Sequence, residues 1–187
     1  MNSMLYSAEA WSGVTEKQLG RLEVVDTALL VKLTGGHSKC PTEFNHLETS
    51  TWKLRHHLSY QRLMYHDHIL TREDTETIKK IYQKQKEKPC KGDWYQLLKE
   101  DLVFIECEMD ENAIFSTPKN SYKKKIKDLV IKAAFKYFLK IKEGHTKLNE
   151  TIYTEFVLQP YLKTKLLNKS EKKLLYLLRS KCHSAKN

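Results

Sequence analysis

The chain has 187 residues, 33 Lys+Arg against 23 Asp+Glu, and a formal net charge of +10. That length allows one domain or two small ones, and 40% hydrophobic with 10% aromatic residues excludes a disordered chain. No apolar run approaches the ~18 residues of a membrane span, so no membrane partner is expected.

The first helix is announced by Thr15-Glu16-Lys17-Gln18, which has the spacing of a capping box. Leu19, Leu22, Val25, Leu29 and Leu30 then recur at helical spacing until Gly35-Gly36 stops them. Pro41 opens a short turn through Glu43 and Leu47, and a longer helix is predicted from about Thr51, with Leu54, Leu58, Leu63, Ile69 and Leu70 apolar. Asp74 is placed to cap a mostly polar helix over about Thr75 to Lys86. Lys88-Pro89-Cys90-Lys91-Gly92-Asp93 then breaks the chain and supplies a new cap at Asp93. Trp94, Leu97, Leu98 and Leu102 restart the pattern, and Asp110 to Ser116 has the makings of a one- or two-turn helix.

At Thr117-Pro118 the charge changes sign. Residues 116–187 hold 18 basic against 5 acidic side chains, whereas 1–115 hold 15 against 18. The clearest helix follows, with Tyr122, Ile126, Leu129, Val130, Ala133, Tyr137 and Ile141 on one face up to Gly144. Lys125, Lys132 and Lys136 share a flank away from that stripe, and Lys124 and Lys142 lie further round. A last helix, boxed by Asn168 and Glu171, carries Leu174, Leu175, Leu177 and Leu178. Its LxxLL spacing reads as ordinary core. The expected fold is all-α, an irregular multi-helix bundle with a basic C-terminal helical subdomain, divided as 1–72, a connector at 73–116, and 117–187.

A folded segment as basic as the last 72 residues gains most from a polyanion, and nucleic acid is the commonest one inside a cell. Lys123, Lys124, Lys125, Lys127, Lys132, Lys136, Lys140 and Lys142 are the candidate contacts to an RNA or DNA backbone. Tyr122, Tyr137, Tyr153 and Tyr161 are interleaved with them, most of them expected in the core. Lysine outnumbers arginine here, which suits point contacts to phosphate better than bidentate recognition of guanine.

Catalysis finds no support. GxGxxG, GxxxxGK[ST], GxSxG and HExxH are all missing. Glu106, Glu108, Asp110 and Glu111 cluster without the dispersed partners a two-metal site requires. No pair among His56, His57, His66 and His68 has the spacing of three or four that two ligands on one helix need, so no metal or other cofactor is expected. Cys40, Cys90, Cys107 and Cys182 stand far apart, and Met1 to Ser12 does not resemble a signal peptide. Reduced thiols, a nuclear or cytoplasmic location and unmodified sequons at Asn149 and Asn168 are the expectation.

Several strings occur in a familiar order. They are Leu5-Tyr6-Ser7-Ala8-Glu9-Ala10-Trp11; Leu19, Leu22 and Glu23; Ser38-Lys39-Cys40-Pro41-Thr42-Glu43 with Leu47-Glu48; and Arg62-Leu63-Met64-Tyr65 with Ile69-Leu70. Gly92-Asp93-Trp94, His145-Thr146-Lys147-Leu148, and Glu171-Lys172-Lys173-Leu174-Leu175 with Leu178-Arg179 continue the order over nearly the whole chain. Together they resemble the thumb, and the helical region after it, of non-LTR (LINE-type) retrotransposon reverse transcriptases. Ser7 and Ala10 depart from the usual Gly and Thr. No YxDD-type aspartate pair and no Cys/His knuckle occurs. The resemblance implies a thumb-like bundle at 1–72 and a nucleic-acid-binding C-terminal fragment of an RNA-directed DNA polymerase. Such a fragment lacks the catalytic palm, is not an enzyme on its own, and has the rest of a reverse transcriptase polyprotein as its partner. The alternative is a helical protein-interaction module, host-adopted or unrelated, using its acidic first part and leucine faces.

Overall fold

The computed structural model describes residues 14–36, 40–107, 114, 118–144 and 153–180. Among these residues it is all-α, without a strand. The helices are α1 (Glu16–Thr34), α2 (Thr42–Thr49), α3 (Leu54–Leu70), α4 (Thr77–Glu87), α5 (Trp94–Phe104), α6 (Lys119–Glu143), α7 (Pro160–Lys163) and α8 (Lys169–Ser180). None of them is long and apolar enough to cross a membrane.

Both predicted capping boxes form. The Thr15 N–H donates to Gln18 Oε1 at 2.9 Å, and the Gln18 N–H returns to Thr15 Oγ1 at 3.3 Å. Asn168 N–H donates to Glu171 Oε2 at 2.7 Å, with the reciprocal bond at 3.0 Å. Gly35 ends α1 at φ +69°, a left-handed conformation glycine adopts without a Cβ penalty. The turn expected after Pro41 is instead the two-turn helix α2, and Phe44 through Glu48 are all buried. α4 starts at Thr77, later than expected. Asp74 does not cap it and instead accepts a long bond of 3.5 Å from the Gln83 amide. Asp93 precedes α5, yet its carboxylate accepts the Cys90 N–H at 2.7 Å rather than capping the helix. The short helix expected over 110–116 lies outside the described residues, apart from Ile114, which is helical and buried.

Compactness groups the chain into two units. The first is Met1–Leu19 with Leu54–Ala133, and the second is Gly20–Lys53 with Ala134–Asn187. The division therefore falls inside α1 and α6. By sequence the first unit carries 17 basic and 15 acidic side chains, and the second 16 and 8.

In the first unit α3, α4 and α5 pack on one another. Leu54, Leu58, Leu63, Leu98, Leu102 and Ile126 are buried there, each fully burying a side chain contributing about 1.5–3 kcal/mol. Asp101 lies inside with its carboxylate fully engaged. Ser59 Oγ donates to it at 2.8 Å, Arg62 donates through Nε at 2.5 Å and Nη2 at 2.9 Å, and Arg55 Nη2 approaches to 3.2 Å. Tyr122 of α6 donates its hydroxyl to the Leu63 carbonyl of α3 at 2.8 Å.

In the second unit Leu30, Phe44, Leu47, Ala134, Phe138, Phe156 and Tyr176 are buried. The rings of His46 and Phe138 stack at 5.0 Å, and Phe138 stacks in turn on Phe156 at 5.8 Å. Glu48 is the polar centre. It accepts from Tyr153 at 2.6 Å, from the Tyr161 hydroxyl, and from Arg179 Nε at 2.9 Å and Nη2 at 2.8 Å. A Cβ on Gly36 would stand 2.7 Å from the Tyr176 ring, so only glycine fits. α8 corrects one expectation. Tyr176 and Ser180 are its buried residues, while Leu174 and Leu178 of the LxxLL string are 57% and 49% exposed and do not serve as core.

Candidate nucleic-acid interface

From Lys119 to Glu143 no Gly or Pro interrupts the chain, and lysine, leucine and alanine are good helix formers, so one 25-residue helix results. Its buried stripe is Tyr122, Ile126, Val130, Ala134 and Phe138, with Ala133 beside them. The expected Tyr137 is exposed and Ile141 half-buried. Each four-residue step advances about 40° on a helix of 3.6 residues per turn, so the stripe winds around α6 instead of keeping one face.

The candidate lysines occupy the remaining surface. Lys123, Lys124, Lys127, Lys132, Lys136 and Lys140 are exposed, and Lys125 and Lys142 are half-buried. Those up to Lys132 belong to the first unit, and Lys136, Lys140 and Lys142 to the second. Only Asp128 and Glu143 on α6 are acidic. A helix so charged repels itself at spacings of three and four, and phosphate relieves that repulsion.

The interleaved tyrosines divide by burial. Tyr122 and Tyr153 are buried and hydrogen-bonded inside their units, and Tyr161 is engaged by Glu48. Burial first, and then Glu48, push the Tyr153 and Tyr161 hydroxyls far above the usual phenol range, so both stay protonated donors. Tyr137 alone of the four keeps an exposed ring. Lys53 Nζ sits 4.9 Å from its centroid and donates to its hydroxyl at 3.0 Å. Burial alone would lower the Lys53 ammonium, but the Tyr137 hydroxyl and the Glu23 carboxylate outweigh it and raise it.

The histidines of α3 are not brought together. His56 packs against Phe104 with centroids 4.9 Å apart, His66 shares a 2.8 Å hydrogen bond with Tyr82, and His68 faces Arg72. Among the described residues no group of three or more His, Cys, Asp or Glu side chains could hold a metal ion. Glu108, Asp110 and Glu111 of the acidic cluster lie outside those residues. The two carboxylates that matter most to the structure, Glu48 and Asp101, carry no local signal, because their arginine partners lie 131 and 39 residues away. Comparisons with protein-family models, curated proteins and solved structures returned no match to this chain.

Proposed function

We propose that this chain is a nucleic-acid-binding, C-terminal part of a non-LTR retrotransposon reverse transcriptase, lying beyond the polymerase palm and holding RNA or DNA through its phosphates. The observation that carries this is the set of eight candidate lysines from Lys123 to Lys142 on α6, six of them exposed, on a helix with only two acidic residues. The ordered strings from Leu5 to Arg179 supply the family, and the basic balance of residues 116–187 agrees with it. Lysines reading phosphate position a strand without selecting its sequence. Together, Lys125→Glu, Lys132→Glu and Lys136→Glu are expected to weaken binding of unrelated RNAs and DNAs alike, by about tenfold or more in fluorescence anisotropy near 0.1 M salt. Loss confined to one sequence would contradict this assignment.

A protein-interaction module is the second reading. It is favoured by the exposed apolar side chains of the second unit: Val24, Leu29 and Leu33 on α1, and Leu174 and Leu178 on α8. It calls for a complex that survives nuclease treatment and the lysine substitutions together.

A further inference from the structure

α4 is the most polar of the helices, yet it exposes an isoleucine. Ile81 is 51% exposed at the edge of a cavity of about 190 Å3 formed within the first unit by α3, α4 and the first residue of α5. The walls are aromatic and aliphatic, with Tyr65 and Ile69 from α3, Ile78 and Tyr82 from α4, and Trp94. Trp94 meets Tyr65 at 6.0 Å and 81°, and Tyr82 at 6.4 Å and 74°, so the rings stand as crossed walls rather than a closed stack. Tyr65 and Trp94 remain half-exposed. An apolar cavity of about 150 Å3 already admits benzene, so this one has room for a flat heteroaromatic ring. Gln85 is its polar element. Its Oε1 accepts the Tyr95 N–H at 3.4 Å, which leaves the amide NH2 to donate.

The chain that supplies the α4 wall is cationic. Between residues 79 and 91 stand Lys79, Lys80, Lys84, Lys86, Lys88 and Lys91 with only Glu87 to oppose them. All but Lys79 are exposed. Lys79 is fixed by a 2.9 Å bond to the Leu70 carbonyl. Two of these ammoniums reach a histidine packed against two of the lining rings. Burial, and after it Lys86 and Lys79, lower the imidazole of His66, whose ring lies 5.1 Å from Tyr82 and 6.1 Å from Trp94. Aromatic walls, one amide and neighbouring lysines are what a strand with splayed bases needs. Each base has a π-face to stack, and each phosphate beside it needs a cation. An apolar side chain of a protein partner would use the walls and leave the lysines unanswered.

We propose that the Tyr65–Tyr82–Trp94 cavity seats one unstacked base of a single-stranded nucleic acid whose flanking phosphates lie on the α4 lysines. This site rests on the nucleic-acid reading above, and it adds a preference for single strands that carry bases. A duplex hides its base faces, and an abasic strand has none.

The test uses the full chain and three fluorescein-labelled probes: a single-stranded oligouridylate, the same length of abasic strand, and a duplex. Trp94→Leu, which keeps apolar bulk and removes the ring, is expected to weaken the base-bearing single strand about tenfold. It leaves the other two probes unchanged, and Trp94→Phe restores most of the loss. Photocrosslinking of a 5-iodouridine strand to the wild-type chain should then label the tryptic peptide 92–99, a readout independent of whether a variant folds. Equal loss on all three probes, or labels confined to α6 peptides, overturns the cavity and keeps the phosphate-binding role of α6. A wild-type chain that binds none of the probes overturns both.

Discussion

Asp101 and Glu48 are the same device built twice, a buried carboxylate clasped by arginine, and their differences show how each unit is held. Asp101 is answered from α3, by Arg62, which is itself buried, and by Arg55 and Ser59. Glu48 is answered across 105 to 131 residues by Tyr153, Tyr161 and Arg179, and the Arg179 side chain keeps 33% of its exposure. The first clasp is answered from a single helix and is mostly buried. The second joins distant parts of the chain and stays open to water on one side. A buried pair is weak evidence for net stability, but breaking one strands its partner.

The largest effect is therefore expected at Asp101. Asp101→Ala takes from the buried Arg62 guanidinium the carboxylate that accepts from its Nε and Nη2, and should cost about 3–5 kcal/mol in denaturant melts. A loss below about 1 kcal/mol would mean that Arg62 escapes to solvent. Glu48→Gln keeps the shape and an acceptor, and Arg179 can rehydrate, so a smaller loss of about 2 kcal/mol is expected. Hydrogen exchange should place that loss in α2 and α8. Protection changes in α3 and α5 of equal size would contradict an independent clasp in each unit.

Acid should separate the units next. Burial first, and then the lysines, hold His66 at about 3; burial holds His57 at about 4. The unfolded chain takes up both protons near pH 6.5, so this contribution is complete above that pH and is lost as pH falls toward 4 and 3. The slope is up to about 1.4 kcal/mol per pH unit for each histidine. Asp26 acts oppositely. Burial, and after it Glu23, raise its carboxyl to about 6, and Oδ2 has no hydrogen-bond partner among the described residues. Its contribution is present below the ordinary value near 3.8 and is lost as pH rises through 6. Between pH 6 and 4, hydrogen exchange should quicken in α3 while α1 beyond Gly20 holds or slows. Parallel changes in both would break the comparison.

Local signals in the sequence led directly to local structure. Thr15 with Gln18, Asn168 with Glu171, and Gly35 each act within four residues, and each does what its spacing predicts. The single-faced stripe of α6 was only half legible, because the helix serves the first unit before Ala133 and the second beyond it, and Phe138 takes the buried place given to Tyr137. Ile78, Ile81, Tyr82 and Gln85 stand at i, i+3, i+4 and i+7, a signal present in α4 but outweighed there by five polar or charged neighbours from Lys79 to Lys86. Glu48 and Asp101 had no such signal. Their partners are chosen by the fold, and nothing in a period of 3.6 points to a residue 131 positions away.

The proposal that α6 and its basic surroundings hold nucleic acid by its phosphates is tested by the salt dependence of binding. Anisotropy titrations of the full chain on duplex DNA from 50 to 300 mM KCl should give a linear log–log plot with a slope of about −0.9 for each phosphate neutralised. Four lysines in contact would give about −3.6. A slope near zero, or no binding at the lowest salt, would rule out phosphate binding by these lysines.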